Sequence, residues 1–422
     1  MNFLLVCGGS AGHINPALAI AAELRRIMPD AKILFVGAGK ELEKKLIPHA
    51  GFHLVNIKMG GLKRGISPEE LIYNAKTVRY LATAGIKAGK LLRRFAPNAV
   101  IGTGGYICYP ILRKAAHMGI PTVIHGSDAI PGLTTKMLGN TVDKVLVSYP
   151  GLESLYKRPE RVVYTGTPVR SGFIPDTRAP AAGEDAEKEP AAGEYAAKEP
   201  AAGEYAAKEP VAGEYAAKEP AAGDQKPHVK TCADASKPLV ISFWGSQGAD
   251  RMNETIAGFI KLNIDGGQFG HIHATGKAGG VAEMKNRLKR LGAPEDLPPG
   301  IEIREYIEDM SCVMETADLA LCRAGASTLA ELTVMGKPAV LVPSPYVPKN
   351  HQEANARQLE KAGGAVVLLE KDCTGEALYN TVSTLLADKD TLGKMSKAQK
   401  TLAAPDAVEK IVKEVLSLCD ND

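Results

Sequence analysis

The chain has 422 residues, 45% of them hydrophobic, with a formal net charge of +3 at pH 7 and seven cysteines. That length suggests two domains, each with its own core, and so small a charge, with no RNA- or DNA-binding signature, argues against a nucleic-acid partner. The cysteines form no CxxC pair, no apolar run approaches the roughly 20 residues that span a bilayer, and the first residues read as a strand rather than a secretion signal. A cytoplasmic protein is expected.

Asn2–Cys7 (NFLLVC) reads as a strand, Gly8-Gly9-Ser10-Ala11-Gly12-His13 as a glycine turn and Ile14–Ile27 as a helix. The turn is not the G-x-G-x-x-G dinucleotide fingerprint. The next strand, Lys32–Val36, ends in Gly37-Ala38-Gly39 with no acidic residue for a ribose, which disfavours nicotinamide binding. Strand and helix patterns keep alternating through Ala99–Ile101, Thr122–Ile124 and Lys144–Val147, the signature of a doubly wound parallel sheet. Gly102–Tyr106 and His125–Asp128 follow two of these strands, so three polar glycine-bearing loops are expected on one rim.

Leu71–Phe95 mixes apolar residues with Lys76, Arg79, Lys87, Lys90, Arg93 and Arg94, and Lys63 and Arg64 lie just upstream. This is either a solvated helix face or a surface for an anionic leaflet, where each cation adds about 1 kcal/mol. A decapeptide repeat close to AAGEYAAKEP then runs from Ala181 to Pro220. Its Gly, Pro and net acidity leave too little apolar surface to bury, so it reads as a disordered spacer.

A second strand–turn–helix opens at Leu239–Phe243, Gly245-Ser246-Gln247-Gly248 and Met252–Leu262, and strands recur at Gly270–Ala274, Ile301–Ile303, Ala317–Cys322, Ala339–Pro343 and Ala365–Leu369. After Ala317–Cys322 comes the small-residue stretch Arg323-Ala324-Gly325-Ala326-Ser327-Thr328-Leu329-Ala330-Glu331, with helical spacing over Thr328–Met335 that stops at Gly336. Uncovered N–H groups at a helix start attract anions, and Arg323 adds a charge that can fork onto phosphate. Glu331 lies where it can reach two ribose hydroxyls, although Thr328–Glu331 is also a T-x-x-E capping box. Both D-x-D matches, Asp388–Asp390 and Asp420–Asp422, fall in polar late segments, which discounts a metal-dependent transferase. The expected architecture is α/β, with two doubly wound, Rossmann-like parallel sheets facing a cleft, as in glycosyltransferases of the GT-B type. Its expected parts are residues 1–176, a repeat insert over 177–236, a second domain over 237–405, and a helix over 406–422 that returns to the first domain.

Gly8–His13 with Pro16–Ala19, Gly104–Tyr106, Pro131–Thr134, Gly166–Arg170, Gly245–Ala249, Arg323–Ala326 and His351-Gln352 to Asn355 resemble, in order, the motifs of the MurG family. These are the peptidoglycan N-acetylglucosaminyltransferases that convert lipid I into lipid II. The resemblance implies UDP-N-acetylglucosamine as donor, an undecaprenyl-pyrophosphate-linked acceptor, and no metal or other cofactor. It implies that Ile307 offers backbone groups to the uracil, that Glu331 takes the ribose, and that Ser246, Gln247, Arg323 and the amides of Ala326, Ser327, Thr328, Leu329 and Ala330 surround the diphosphate. His351, Gln352 and Asn355 would read the sugar. Arg170 and the Ser10, Ala11, Gly12 loop would close from the first domain, with Asp128 beside the donor. Gly104, Gly105, Tyr106 and His125 would meet the acceptor.

The implied chemistry is an inverting displacement in which His13 is either the base or a residue that caps its loop and orients the acceptor. The chain departs from the family pattern at Gly126, where an acidic residue is usual, and at Asp128, which replaces an amide. Ser10-Ala11 stands where Thr-Gly is usual. The expected setting is the cytoplasmic membrane face, beside an anionic surface and other wall-synthesis proteins. The alternatives are a related transferase with another lipid or small hydroxyl acceptor, a UDP-N-acetylglucosamine 2-epimerase, and a UDP-sugar-binding scaffold without turnover.

Overall fold

The computed structural model describes residues 1–57, 59, 67, 83–174, 237–245 and 247–419. The expectations for Lys63, Arg64, Lys76, Arg79, the decapeptide repeat and Ser246 lie outside the described residues.

Two parallel sheets carry the chain. The first holds β1 (Asn2–Cys7), β2 (Lys32–Gly37), β3 (His53–Asn56), β4 (Ala99–Gly104), β5 (Thr122–Gly126), β6 (Lys144–Val147) and β7 (Val162–Tyr164), in the order β3-β2-β1-β4-β5-β6-β7. The second holds β8 (Leu239–Phe243), β9 (Gly270–Ala274), β10 (Ile301–Arg304), β11 (Leu319–Cys322), β12 (Ala339–Leu341) and β13 (Ala365–Val367), ordered β10-β9-β8-β11-β12-β13. The central strands are apolar without alternation because helices cover both faces; every residue of β4, β8 and β11 is buried.

Around the first sheet lie α1 (Ala11–Ile27), α2 (Glu41–His49), α3 (helical over 83–95), α4 (Cys108–His117) and α5 (Leu133–Leu138). Around the second lie α6 (Asp250–Gly266), α7 (Gly280–Arg290), α8 (Met310–Thr316), α9 (Ala326–Met335), α10 (His351–Lys361), α11 (Gly375–Ala387) and α12 (Lys389–Thr401). The last helix, α13 (Ala407–Cys419), buries Ile411, Val412 and Val415 against Phe3, Leu5, Ile20 and Leu24 of the first lobe. Lys144 pins it from β6 with an ion pair to Glu414 at 2.6 Å. On α3, Ala84, Ala88 and Leu92 form the buried stripe, which leaves Lys87, Lys90, Arg93 and Arg94 on the exposed side.

Two helices start earlier than sequence periodicity indicates. The first extends back to Ala11, and α9 begins at Ala326 rather than Thr328, with Gly325 as its N-cap. Thr328 is therefore inside the helix and cannot be the cap of a T-x-x-E box. Gly336 ends α9 in the left-handed conformation, φ 61°.

Candidate active site

Both sheets reverse their winding direction once, between β1 and β4 and between β8 and β11. Ligands of open α/β sheets bind beyond the strand ends at such switch points. The loops there follow β1 (Gly8–Ser10), β4 (Gly104–Tyr106), β8 and β11 (Arg323–Gly325), four of the five glycine-bearing stretches singled out in the sequence; the fifth, His125–Asp128, follows β5, one strand beyond β4. The first two are locked together: a Cβ on Gly105 would sit 2.5 Å from the Gly8 carbonyl, and one on Gly104 would collide with the His13 ring. Gly104 and Gly105 also have φ of 118° and 88°, which glycine alone adopts readily.

His13 lies in the first turn of α1, between those loops. Its Nδ1 is 2.8 Å from the Gly8 carbonyl, and a carbonyl can only accept, so Nδ1 carries the proton and Nε2 keeps its lone pair. Thr103 Oγ1 donates to the His13 carbonyl at 2.6 Å and fixes the turn. Burial pushes the imidazole below its ordinary pKa; the Gly8 carbonyl and the charge of Asp128 oppose this, while His351 adds to it. The ring is thus held neutral, the form a base requires.

The starts of α1 and α9 meet here. Neither helix has a side-chain cap or an acidic residue in its first turn. His13 and Ile14 donate to Ser10, and Leu329 donates to Gly325, so the N–H groups with no helical acceptor are those of Ala11, Gly12, Ala326, Ser327 and Thr328. Leu329 and Ala330 are corrected in this respect: the Leu329 amide is used within the helix and its side chain is buried, and Ala330 lies beyond the first turn. The other helix start at the second sheet's switch point, that of α6, is less suited to an anion. It carries Asp250 in its first turn, paired to Arg287 at 2.5 Å.

Glu331 points its carboxylate at Arg170, whose Nη2 donates to Oε1 at 3.0 Å. Burial raises the Glu331 pKa and Arg170 opposes the rise. Gln352 uses its Oε1 to accept from the Ser344 amide at 2.9 Å, which leaves its NH₂ end for another partner, and His351 Nδ1 lies 2.9 Å from the Pro348 carbonyl. Ile307 is buried in the loop after β10, Gln247 is exposed after β8, and Tyr106 donates to the Met59 carbonyl at 3.2 Å.

Three expected contacts are corrected. Arg323 is buried, donating to the Val342 carbonyl at 3.1 Å, 2.7 Å from the Glu370 carboxylate and over the Trp244 ring. It braces the turn from beneath instead of forking onto a phosphate. His125 is fully buried with Nε2 2.9 Å from the Gly166 carbonyl; burial holds it neutral, with its pKa down to about 4, so it cannot meet an acceptor. Asn355 is also fully buried and bonded to Asp128, Ala129 and Ala324, leaving nothing for a sugar.

One residue escaped the sequence reading. Glu43, fully buried on α2, accepts from the amides of Gly9, Gly39 and Lys40 at 2.9, 2.8 and 3.0 Å. It puts a carboxylate at the tip of β2, where none was expected, and closes the Gly9 amide to any dinucleotide phosphate. The only local signal was its i+3 spacing from Lys40 at the start of α2.

Models of glycosyltransferase family 28 match the chain twice, the N-terminal domain over residues 3–147 and the C-terminal domain over 239–411. The UDP-N-acetylglucosamine–N-acetylmuramyl-(pentapeptide) pyrophosphoryl-undecaprenol N-acetylglucosamine transferase of Acetivibrio thermocellus is 37% identical over 421 residues, covering 100% of this chain and 99% of its own. The protein of that name from a Thermoanaerobacter species is 38% identical, covering 99% and 100%. Among solved structures, MurG of Acinetobacter baumannii superposes with a TM-score of 0.64 at 21% identity, over 99% of this chain and 100% of that one. A UDP-GlcNAc 2-epimerase from Neisseria meningitidis does so at 0.62 and 12%, over 99% and 100%. These two likenesses speak for the shared GT-B fold alone. With both lobes matched and relatives aligned end to end, the chain belongs to glycosyltransferase family 28.

Proposed function

We propose that this protein transfers N-acetylglucosamine from UDP-N-acetylglucosamine to the C4 hydroxyl of N-acetylmuramyl-(pentapeptide) pyrophosphoryl-undecaprenol, turning lipid I into lipid II. The observation that carries the chemistry is the meeting of two uncapped helix starts, with no acid in either first turn, beside a neutral imidazole. Their amides supply positive potential for a diphosphate, and the end-to-end relatives supply the identity of donor and acceptor.

In the reaction the acceptor oxygen attacks the anomeric carbon from the face opposite UDP. The new C–O bond forms as the bond to the β-phosphate oxygen breaks, and UDP takes that electron pair. His13 Nε2 receives the hydroxyl proton, a step that contributes roughly 10²–10⁴-fold. Charge growing on the leaving diphosphate is met by the amides of Ala11, Gly12, Ala326, Ser327 and Thr328, with no resident metal. Glu331 exchanges Arg170 for the ribose hydroxyls, and the released guanidinium turns to the diphosphate. Ile307 meets the uracil, Ser246 and Gln247 approach the phosphates, and His351 with the NH₂ of Gln352 faces the sugar. The acceptor enters over Gly104–Tyr106.

Among the described residues no helix is long and apolar enough to cross a membrane. The exposed cations of α3, with Ile86 64% exposed among them, give the lipid-linked acceptor's membrane a docking face on the cytoplasmic side. Other wall-synthesis proteins would work beside it there.

The deciding assay measures UDP released from UDP-N-acetylglucosamine with and without a soluble lipid I analogue. Acceptor-dependent release with a disaccharide product is expected. Release without acceptor indicates hydrolysis, conversion to an isomeric UDP-sugar with no release indicates an epimerase, and tight binding with neither indicates a scaffold.

A further inference from the structure

Asn355 lies in the first half of α10, 226 residues from Ala129, yet its carboxamide joins the two. Oδ1 accepts from the Ala129 amide at 2.8 Å, while Nδ2 donates to Asp128 Oδ1 at 3.0 Å and to the Ala324 carbonyl at 3.3 Å. Asp128 and Ala129 follow β5 in the first lobe. Ala324 belongs to the turn that delivers the start of α9. One buried side chain therefore holds groups from both lobes, and only a carboxamide can accept at one end while donating twice at the other.

Among the described residues two other hydrogen bonds join the lobes at the cleft, and both stand in the donor's way. Arg170–Glu331 must open for a ribose, and Ser327–Gly12 lies between the amides offered to the diphosphate. The bonds of Asn355 to Ala129 and Ala324 use backbone groups that no donor displaces.

We propose that Asn355, anchored on Asp128, is a positioning residue that keeps the α9 helix start in register with the first lobe while the donor comes and goes. Its kinetic consequence rests on the transfer reaction proposed above; the latch itself does not.

The test uses the full-length protein with Asn355→Ala, Asn355→Asp and the exchange Asp128→Asn/Asn355→Asp. Asn355→Asp sets two carboxylates against each other, whereas the double variant reverses which side chain donates. Hydrogen exchange of residues 126–131, read without turnover, should accelerate at least ten-fold in Asn355→Asp and return toward wild type in the double variant. In transfer assays Asn355→Asp should lower kcat ten-fold or more, with partial recovery in the double variant. In Asn355→Ala the ratio of UDP to UDP-N-acetylglucosamine affinity should stay constant, because the side chain does not touch sugar. Unchanged exchange at 126–131 overturns the proposal, as does an Asn355→Ala variant that loses UDP-N-acetylglucosamine but keeps UDP. If the wild-type protein transfers nothing, the reaction assigned above fails, while the exchange data still decide the latch.

Discussion

Ser327 Oγ donates to the Gly12 carbonyl at 3.4 Å, joining the first turn of α9 to the first turn of α1. The carbonyl is available because its helical partner would be the N–H of Pro16, and proline has none. A proline within the first helix thus opens an acceptor on the side where the second lobe arrives, and the two anion-attracting helix ends stay side by side.

Ser327→Asp tests that arrangement. A carboxylate in the first turn of α9 favours the helix by about 0.3–1 kcal/mol but removes the hydroxyl donor to the Gly12 carbonyl, worth about 0.5–1.5 kcal/mol, so the melting temperature should change little. The same charge should repel the diphosphate and raise KM for UDP-N-acetylglucosamine about ten-fold or more. A variant that folds as well as the wild type and binds donor equally well would remove the helix start from the site.

Glu331→Gln keeps an oxygen for Arg170 but loses the charge proposed to hold two ribose hydroxyls. Hydrogen bonds to a charged group contribute about 1.5–3 kcal/mol, so KM for the donor should rise roughly ten- to hundred-fold. Isothermal titration with UDP measures the same loss without turnover. An unchanged affinity would leave Glu331 as a partner for Arg170 alone.

His13→Ala should lower kcat by about 10²–10⁴ while leaving donor affinity near that of the wild type. Burial disfavours the imidazolium, so the folded pKa lies below the usual value near 6.5. The acid limb of kcat/KM should therefore fall below pH 6.5 and disappear in the variant. Full turnover after the substitution would give the proton to another group.

Arg323→Ala should act on stability more than on phosphate binding. Removing one partner of a buried ion pair costs about 3–5 kcal/mol, because Glu370 is left charged beneath the turn. Urea denaturation is the measurement. A stable variant with greatly weakened UDP binding would restore the phosphate contact that the sequence suggested.

Acid should destabilise the fold through histidines far from the chemistry as well as near it. Ser242 Oγ sits 2.7 Å from both His271 Nε2 and His273 Nδ1 inside the second lobe, and His125 is sealed in the first. Burial drives His273 down to about 3 and His125 to about 4, and puts His271 well below its usual range. Unfolded, each takes a proton as pH falls through about 6.5; folded, none does until far lower. Stability is thus complete above pH 6.5 and declines with acid, by roughly 2 kcal/mol per histidine at pH 5. Thermal unfolding between pH 7.5 and 5 should show the decline, and a flat profile would contradict the burial.

The strand–glycine–helix units at Asn2–Ile27 and Leu319–Met335 were legible because their causes are local: apolar runs, turns that need glycine, and helix periodicity. The alternation of such units was enough to anticipate two doubly wound sheets, and motif order was enough to suggest a family. The occupancy of each polar side chain was not legible. Arg323 looked like a phosphate ligand until Val342 and Glu370 took it, Asn355 like a sugar reader until Asp128 did, and Glu43 was unremarked until Gly9 closed on it. Local preference decides which element a residue joins. A hydrogen-bonding group has finite capacity, and which partner fills it depends on residues that only the folded chain brings within 3 Å.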